Sequence, residues 1–327
     1  MATEKEVKLR LKQLDKYLLK EYKEKYSYKK NVSNYDFEFC KRMKKTVRFL
    51  NPIIKKATKG IIHIQNTGRP QKLNLENKLR LILIKQLVGK SNRFTTCLLE
   101  LFSLMFNIDV SYKYLERLYS DSDVIMALNS LFTLIIKEKK INNIDCCGDA
   151  TGYSLSISKH YCSYVTKLKE KSKVANCRRQ FVYNFTLMDL KSKMYVCYGT
   201  SLRSEKDAYN NAMKMFSKTN IKINSIRLDR YYSGPSIVRQ FSNSTVYLIP
   251  KKNVSLSNGL AWNKMLSRFV DDTFGYLREY YLRNNSESGF SSDKKLLGWK
   301  LNQKRTDRID TAIFCKIIWR NLFQLYA

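Results

Sequence analysis

The sequence predicts an α/β protein in which a mixed sheet with flanking helices fills the C-terminal half, behind an all-helical and very basic N-terminal region. Three observations carry this. Short apolar runs bounded by Gly, Ser, Asn and Asp recur between residues 143 and 250 and read as strands. Before residue 142, leucines and isoleucines fall at helical spacing. The third is composition: 61 Lys plus Arg against 28 Asp plus Glu give a formal charge of +33, with 44% hydrophobic and 13% aromatic residues. A disordered basic tail would be poor in both apolar classes, so this is a folded protein whose field suits a polyanionic partner.

Composition divides the 327 residues into a basic helical arm at 1–66, a helical region at 67–142 and an α/β region at 143–327. In the arm, Leu9, Leu11, Leu14, Tyr17 and Leu18 lie at helical intervals among lysines, and a poorly patterned segment follows around Ser27 to Asn34. Such a helix either packs beneath a solvated face or tracks phosphates, and both readings stand. Thr67-Gly68-Arg69-Pro70 marks a turn; the same tripeptide suits an arm in a minor groove with Arg69 as its contact. From Asn74, the residues Leu75, Leu79, Leu81, Ile82, Ile84, Leu87 and Val88 predict a helix that Gly89 ends. A second helix is expected from Ser91 to Phe106, and Ser111 caps a third from Tyr112 to Tyr119. Helix, short turn and capped helix make a helix-turn-helix pattern whose recognition face would be Tyr112, Lys113, Glu116 and Arg117. A plain helical hairpin gives the same pattern. A further helix from Asp123 to Lys139 leads into the sheet.

The sheet begins with a strand at 144–148 that continues past Asp149 towards Ile157, followed by a basic excursion with Lys167, Lys169, Lys171, Lys173, Arg178 and Arg179. A hairpin comes next, Phe181 to Leu187 and Met194 to Tyr198, turning at Asp189 to Lys193. A helix from Glu205 to Ser217, a strand closed by Asp229, a short helix after Pro235 and a strand at Val246 to Ile249 complete the pattern, and the remainder is helical. Apolar runs ending in Asp deliver a carboxylate to a sheet rim, and both Asp149 and Asp229 end such runs. Farther on, Tyr280, Arg283, Glu287 and Lys294 are spaced Y-x2-R-x3-E-x6-K. On one helix those offsets stack all four side chains on one face, a carboxylate flanked by two cations. The arrangement suits a metal-holding carboxylate with Arg283 forking a phosphate and Lys294 meeting one as a point charge. A solvated helix face has the same spacing, and Gly289 within the Ser/Asn run from Asn284 to Asp293 argues against an unbroken helix.

Asp149 in DATGYS, Asp229 in LDRYYSG and Glu287 in the four-residue signature together resemble the DDE transposases of prokaryotic insertion sequences, over roughly residues 140–327. The resemblance implies a ribonuclease-H-like catalytic domain at 143–327, and the order of three strands, helix, strand, helix, strand agrees with it. The first and fourth strands would then be neighbours, so that Asp149 lies beside Asp229 although 80 residues separate them. It implies two ions, Mg2+ or Mn2+, with Asp149 bridging both and Asp229 and Glu287 each completing one site. It also implies cutting at the ends of a mobile element and joining of the 3′ ends to target DNA. The partner is then double-stranded DNA, met by a homodimer through Tyr280, Arg283 and Lys294 together with Lys113, Arg117 and Arg69, in the cytoplasm and at the nucleoid.

Other features set limits. No segment approaches the ~18 consecutive apolar residues of a membrane span, and the N-terminus is charged, so no membrane is expected. Eight cysteines without a C-x2-C pair, and only His63 and His160, exclude a zinc or disulfide framework and leave little room for histidine catalysis. Asp145 competes with Asp149 as the strand acid but lacks the following Thr-Gly-Tyr-Ser. Asp189 and Asp207 read as structural, at a hairpin tip and on a helix. Asp271 and Asp272 compete with Glu287 without its Arg and Lys companions, and Asp293 pairs with a neighbour. Two other functions fit the chain: a ribonuclease-H-type nuclease without strand transfer, and a non-catalytic DNA-binding descendant of a transposase. Three retained acids in a basic surface weigh against the second.

Overall fold

The computed structural model describes residues 3–25, 32–61, 72–90, 95, 98, 110–155, 181–252, 254, 259–303 and 305–326. Arg69, most of the helix expected at 91–106 and the basic excursion at 167–179 lie outside the described residues.

Before the sheet the chain is helical: α1 (Glu4–Lys25), α2 (Val32–Thr58), α3 (Leu75–Val88), α4 (Tyr112–Arg117) and α5 (Ser122–Glu138). Local chemistry sets their ends. The Asn74 side chain accepts from the Asn77 amide to start α3, and Gly89 takes a left-handed φ of 68° to end it, a conformation that costs a residue with a Cβ. Ser111 caps α4 and Asp121 caps α5 in the same way.

The sheet is mixed, with strand order β3-β2-β1-β4-β5. β1 (Asn143–Leu155) pairs antiparallel with β2 (Phe181–Asp189), which pairs antiparallel with β3 (Tyr195–Ser201); β4 (Lys222–Leu228) lies parallel to β1, and β5 (Thr245–Tyr247) parallel to β4. The expected adjacency of first and fourth strands is therefore present, and its register runs to Gly148 opposite Leu228. A two-residue strand, β6 (Lys300–Leu301), rejoins the same edge of β1 at Ser154 and Leu155. Between its pairings with β4 and β6, that edge of β1 has no strand partner among the described residues, which leaves a notch in the sheet ladder alongside residues 149–153.

Helices cover both faces. α6 (Glu205–Phe216) lies so close to β3 that a Cβ on Gly199 would fall 2.2 Å from the Ala208 carbonyl oxygen, so only glycine fits there. After α7 (Pro235–Gln240), the chain forms α8 (Leu260–Asp271), α9 (Thr273–Tyr281), α10 (Asn284–Leu297) and α11 (Thr306–Leu325). α11 is buried almost all round from Ile309 to Phe323 and ties the two halves together. Asn321 donates to and accepts from the backbone of Tyr195 on β3, while Trp319 donates its indole N–H to the Leu83 carbonyl on α3. Phe314 packs on Phe132 of α5 at 5.5 Å between ring centroids. One contiguous core results, running from the N-terminal helices through α11 to the sheet.

Candidate active site

Asp149 lies within β1, one residue past the last pairing with β4, and Asp229 follows the last residue of β4. Parallel pairing thus brings two acids to one level. Asp229 leaves the strand as the cap of a short 3-10 turn, its carboxylate accepting from the Tyr231 amide at 3.3 Å. Glu287 arrives from α10, which lies across the same face. The signature stretch, whose four residues share a face only on a single helix, is broken into two: α9 ends at Tyr281, and Leu282 and Arg283 form a tightened turn before α10. The break falls at Leu282 and Arg283 and not at Gly289. Gly289, with Ser286 and Phe290, is instead the sheet-facing side of α10: Ser286 donates to the Cys147 sulfur at 3.0 Å, and a Cβ on Gly289 would lie 3.2 Å from the Tyr195 hydroxyl oxygen.

Arg283 is the centre of the site. Its Nη1 lies 3.0 Å from Asp149 Oδ2 and 3.7 Å from Asp229 Oδ1, and its Nη2 lies 2.9 Å from Glu287 Oε1. Its Nε is buried without a partner among the described residues. Tyr280 is 3% exposed, with its ring 5.9 Å from the guanidinium carbon, so it backs Arg283 and presents no surface of its own. Burial pushes the Asp149 carboxyl up to about 6; the Ala150 amide and Arg283 pull it down, and Asp229 and Glu287 push it up further. Lys294 reaches β1 at Thr151, donating to Oγ1 at 2.6 Å. Among the described residues no group of three or more His, Cys, Asp or Glu side chains is arranged to hold a metal ion; the three acids meet around a guanidinium.

Comparison with known proteins decides the family. Over 282 residues, 43% of positions are identical to a probable transposase for insertion sequence element ISA1214 from Archaeoglobus fulgidus, covering 86% of this chain and 84% of that protein. This chain belongs to the insertion-sequence transposases. No protein-family model and no solved structure matches the transposase.

Its competing acids lie away from the Arg283 cluster, most of them in local roles. Asp145 accepts from the Ser225 hydroxyl at the far end of β1, and Asp189 holds the hairpin by accepting from the amide and hydroxyl of Ser192. Asp207 lies in the first turn of α6, Asp271 ends α8, and Asp272 caps α9. Asp293 is buried between the Tyr195 hydroxyl at 2.7 Å and Arg320 at 3.2 Å. In the transposase's α4, Lys113 and Arg117 are exposed, whereas Glu116 of the same expected face is held by Arg308 at 2.6 Å. Thr151 and Tyr153, both inside the DATGYS stretch, meet Lys294 beside this cluster, and sequence reasoning does not single them out. Their signal was the period of two along β1, which puts them on the face of Asp149. Among the described residues of the transposase no helix is long and apolar enough to cross a membrane.

Proposed function

We propose that this transposase is a DDE enzyme in which Asp149, Asp229 and Glu287 hold two divalent cations, Mg2+ or Mn2+, for cutting DNA at the element ends and joining the 3′ ends to target DNA. The observation that carries the reading is the meeting of three carboxylates, from a strand, a strand end and a helix, on one guanidinium. Three acids against Arg283 leave negative charge uncompensated, and like charges so close are tolerated only beside further cations. The donors are hard carboxylate oxygens, which favour Mg2+ or Mn2+ over zinc. When bound, the ions would activate the attacking oxygen and neutralise the leaving one during in-line displacement at phosphorus.

In this reading the carboxylates of Asp149, Asp229 and Glu287 would together hold the ions, with Asp149, by the family resemblance, shared between them. The strand order β3-β2-β1-β4-β5 with helices on both faces agrees with a ribonuclease-H-like domain. Arg283 forks the phosphates near the cut, Lys294 meets a further one, and Tyr280 supports Arg283 from behind. Exposed Lys113 and Arg117 of α4 are assigned to the bound duplex, which the charge of +33 attracts.

The test is substitution with the charge removed and the shape kept. Asp149→Asn, Asp229→Asn and Glu287→Gln should each abolish cutting and joining, with duplex binding equal or tighter, because a lost carboxylate repels phosphate less. Wild-type-like cleavage by one variant removes that residue from the site. Wild-type protein that cuts and never joins would make the enzyme a nuclease of the same site.

A further inference from the structure

Past Asp149, the same face of β1 continues with Thr151 and Tyr153, and each of the three positions meets a cation from the C-terminal helices. Asp149 meets Arg283, and the Thr151 hydroxyl accepts from Lys294 Nζ at 2.6 Å. The buried Tyr153 ring lies 5.5 Å from Lys294 Nζ and 4.9 Å from Lys316 Nζ. These residues border the notch where β1 has lost β4 and not yet gained β6. Lys294 is half-buried there, and burial lowers its pKa. Its helix is fixed from the other end, since Lys316 donates to the carbonyls of Leu297, at 2.8 Å, and Gly298 at the C-terminus of α10.

A free lysine side chain samples many rotamers, and immobilising it on a phosphate costs conformational entropy. Here that loss is taken on folding. An ammonium has three donors; with one on Thr151 and one face of the cation against a ring, a donor remains for a phosphate oxygen. We propose that Thr151, supported by Tyr153, is a positioning residue that holds Lys294 in place for a DNA backbone phosphate beside the three-carboxylate site. This rests on the DDE reading above, in that Lys294 acts during joining.

The experiment compares Thr151→Val, which keeps shape and loses the acceptor, with Thr151→Ser, which keeps it, in joining of a pre-cut end to a target plasmid. Thr151→Val should lower kcat about tenfold with little change in KM for the pre-cut end, as expected for one lost charge-assisted hydrogen bond. Thr151→Ser should stay within about twofold of wild type. In a Lys294→Ala background Thr151→Val should cause no further loss, because the hydroxyl acts through that ammonium. Normal joining by Thr151→Val, equal defects in the Val and Ser variants, or a full additional loss in the double variant would each overturn the proposal. A second readout needs no catalysis: acylation of Lys294 by an amine-reactive ester, followed by mass spectrometry of the full chain, should be faster in Thr151→Val than in wild type. An unchanged rate overturns the positioning role. Wild-type protein that never joins overturns the DDE reading instead, and the labelling rate still decides what Thr151 does.

Discussion

Arg283 touches three acids at once, and a substitution there removes more than a single contact. Lysine keeps the charge but not the fork, so it cannot bridge Asp149 and Asp229 from one nitrogen while holding Glu287 from another. Both Arg283→Ala and Arg283→Lys should therefore impair joining of a pre-cut end, by roughly 10- to 150-fold for a lost charge-assisted contact of about 1.5–3 kcal/mol. Tyr280→Phe should do much less, because its buried ring stays behind the guanidinium. A joining assay on the three variants checks the order, and an Arg283→Lys variant as active as wild type would show that charge alone suffices. At this scale the sequence was legible where spacing carried the chemistry: Asp149, Asp229, Arg283, Glu287 and Lys294 all lie at or beside one site. Thr151 and Lys316 were not legible, because a hydroxyl in a strand and a lysine in a buried helix announce nothing until the partners across the fold are known.

At the scale of the element, α10 has two faces with different tasks. Glu287 and Lys294 reach towards Arg283 and Thr151, while Ser286, Gly289, Phe290 and Asp293 are buried on the adjoining side that presses on the sheet. Sequence reasoning treated the Gly and Ser residues as helix breakers, since propensity alone disfavours them. Packing reverses that judgement: small residues let the helix approach the Cys147 sulfur and the Tyr195 hydroxyl. Gly289→Ala has a Cβ at 3.2 Å from that hydroxyl oxygen, a small shift offset by helix propensity of about 1 kcal/mol, so it should be near neutral. Gly289→Val cannot fit without pushing α10 off the sheet. It should cost about 1–3 kcal/mol in urea unfolding and reduce cutting and joining together, since Glu287 and Lys294 move with the helix. A Gly289→Val variant of normal stability would mean that α10 does not press on the sheet as described.

For the whole molecule, stability hangs on a core that carries charge within it. α11 joins the sheet to the N-terminal helices, and its Lys316 is 2% exposed, as is Lys85 on the neighbouring α3. Strand order and hairpin were readable from period-two runs, but this shared core was not, because the charged residues of α11 hide a helix that is buried all round. The consequence is a pH dependence of definite sign. Burial, aided by the charge of Lys85, pushes the Lys316 ammonium down to about 7, and burial pushes Lys85 down to about 8. Above those values the folded chain has released protons that the unfolded chain, with ordinary lysines near 10.5, still binds. Stability therefore rises with pH, by up to about 1.4 kcal/mol per unit for each group. The neutral amine of Lys316 keeps two N–H donors, enough for the Leu297 and Gly298 carbonyls. Other groups bound the window. Asp149, pushed up to about 6, has finished titrating below it, and the buried thiols of Cys146, Cys147, Cys197 and Cys315, all pushed up by burial and Cys147 to about 11, make stability fall once unfolded thiols ionise near pH 9. Urea midpoints should accordingly increase from about pH 7 to about pH 8.5, and Lys316→Met should flatten much of that increase. Methionine leaves the two carbonyls without their donor, but that loss is the same at both pH values and cancels in the difference. A Lys316→Met protein whose midpoint climbs as steeply as wild type would show that this lysine stays charged in the fold.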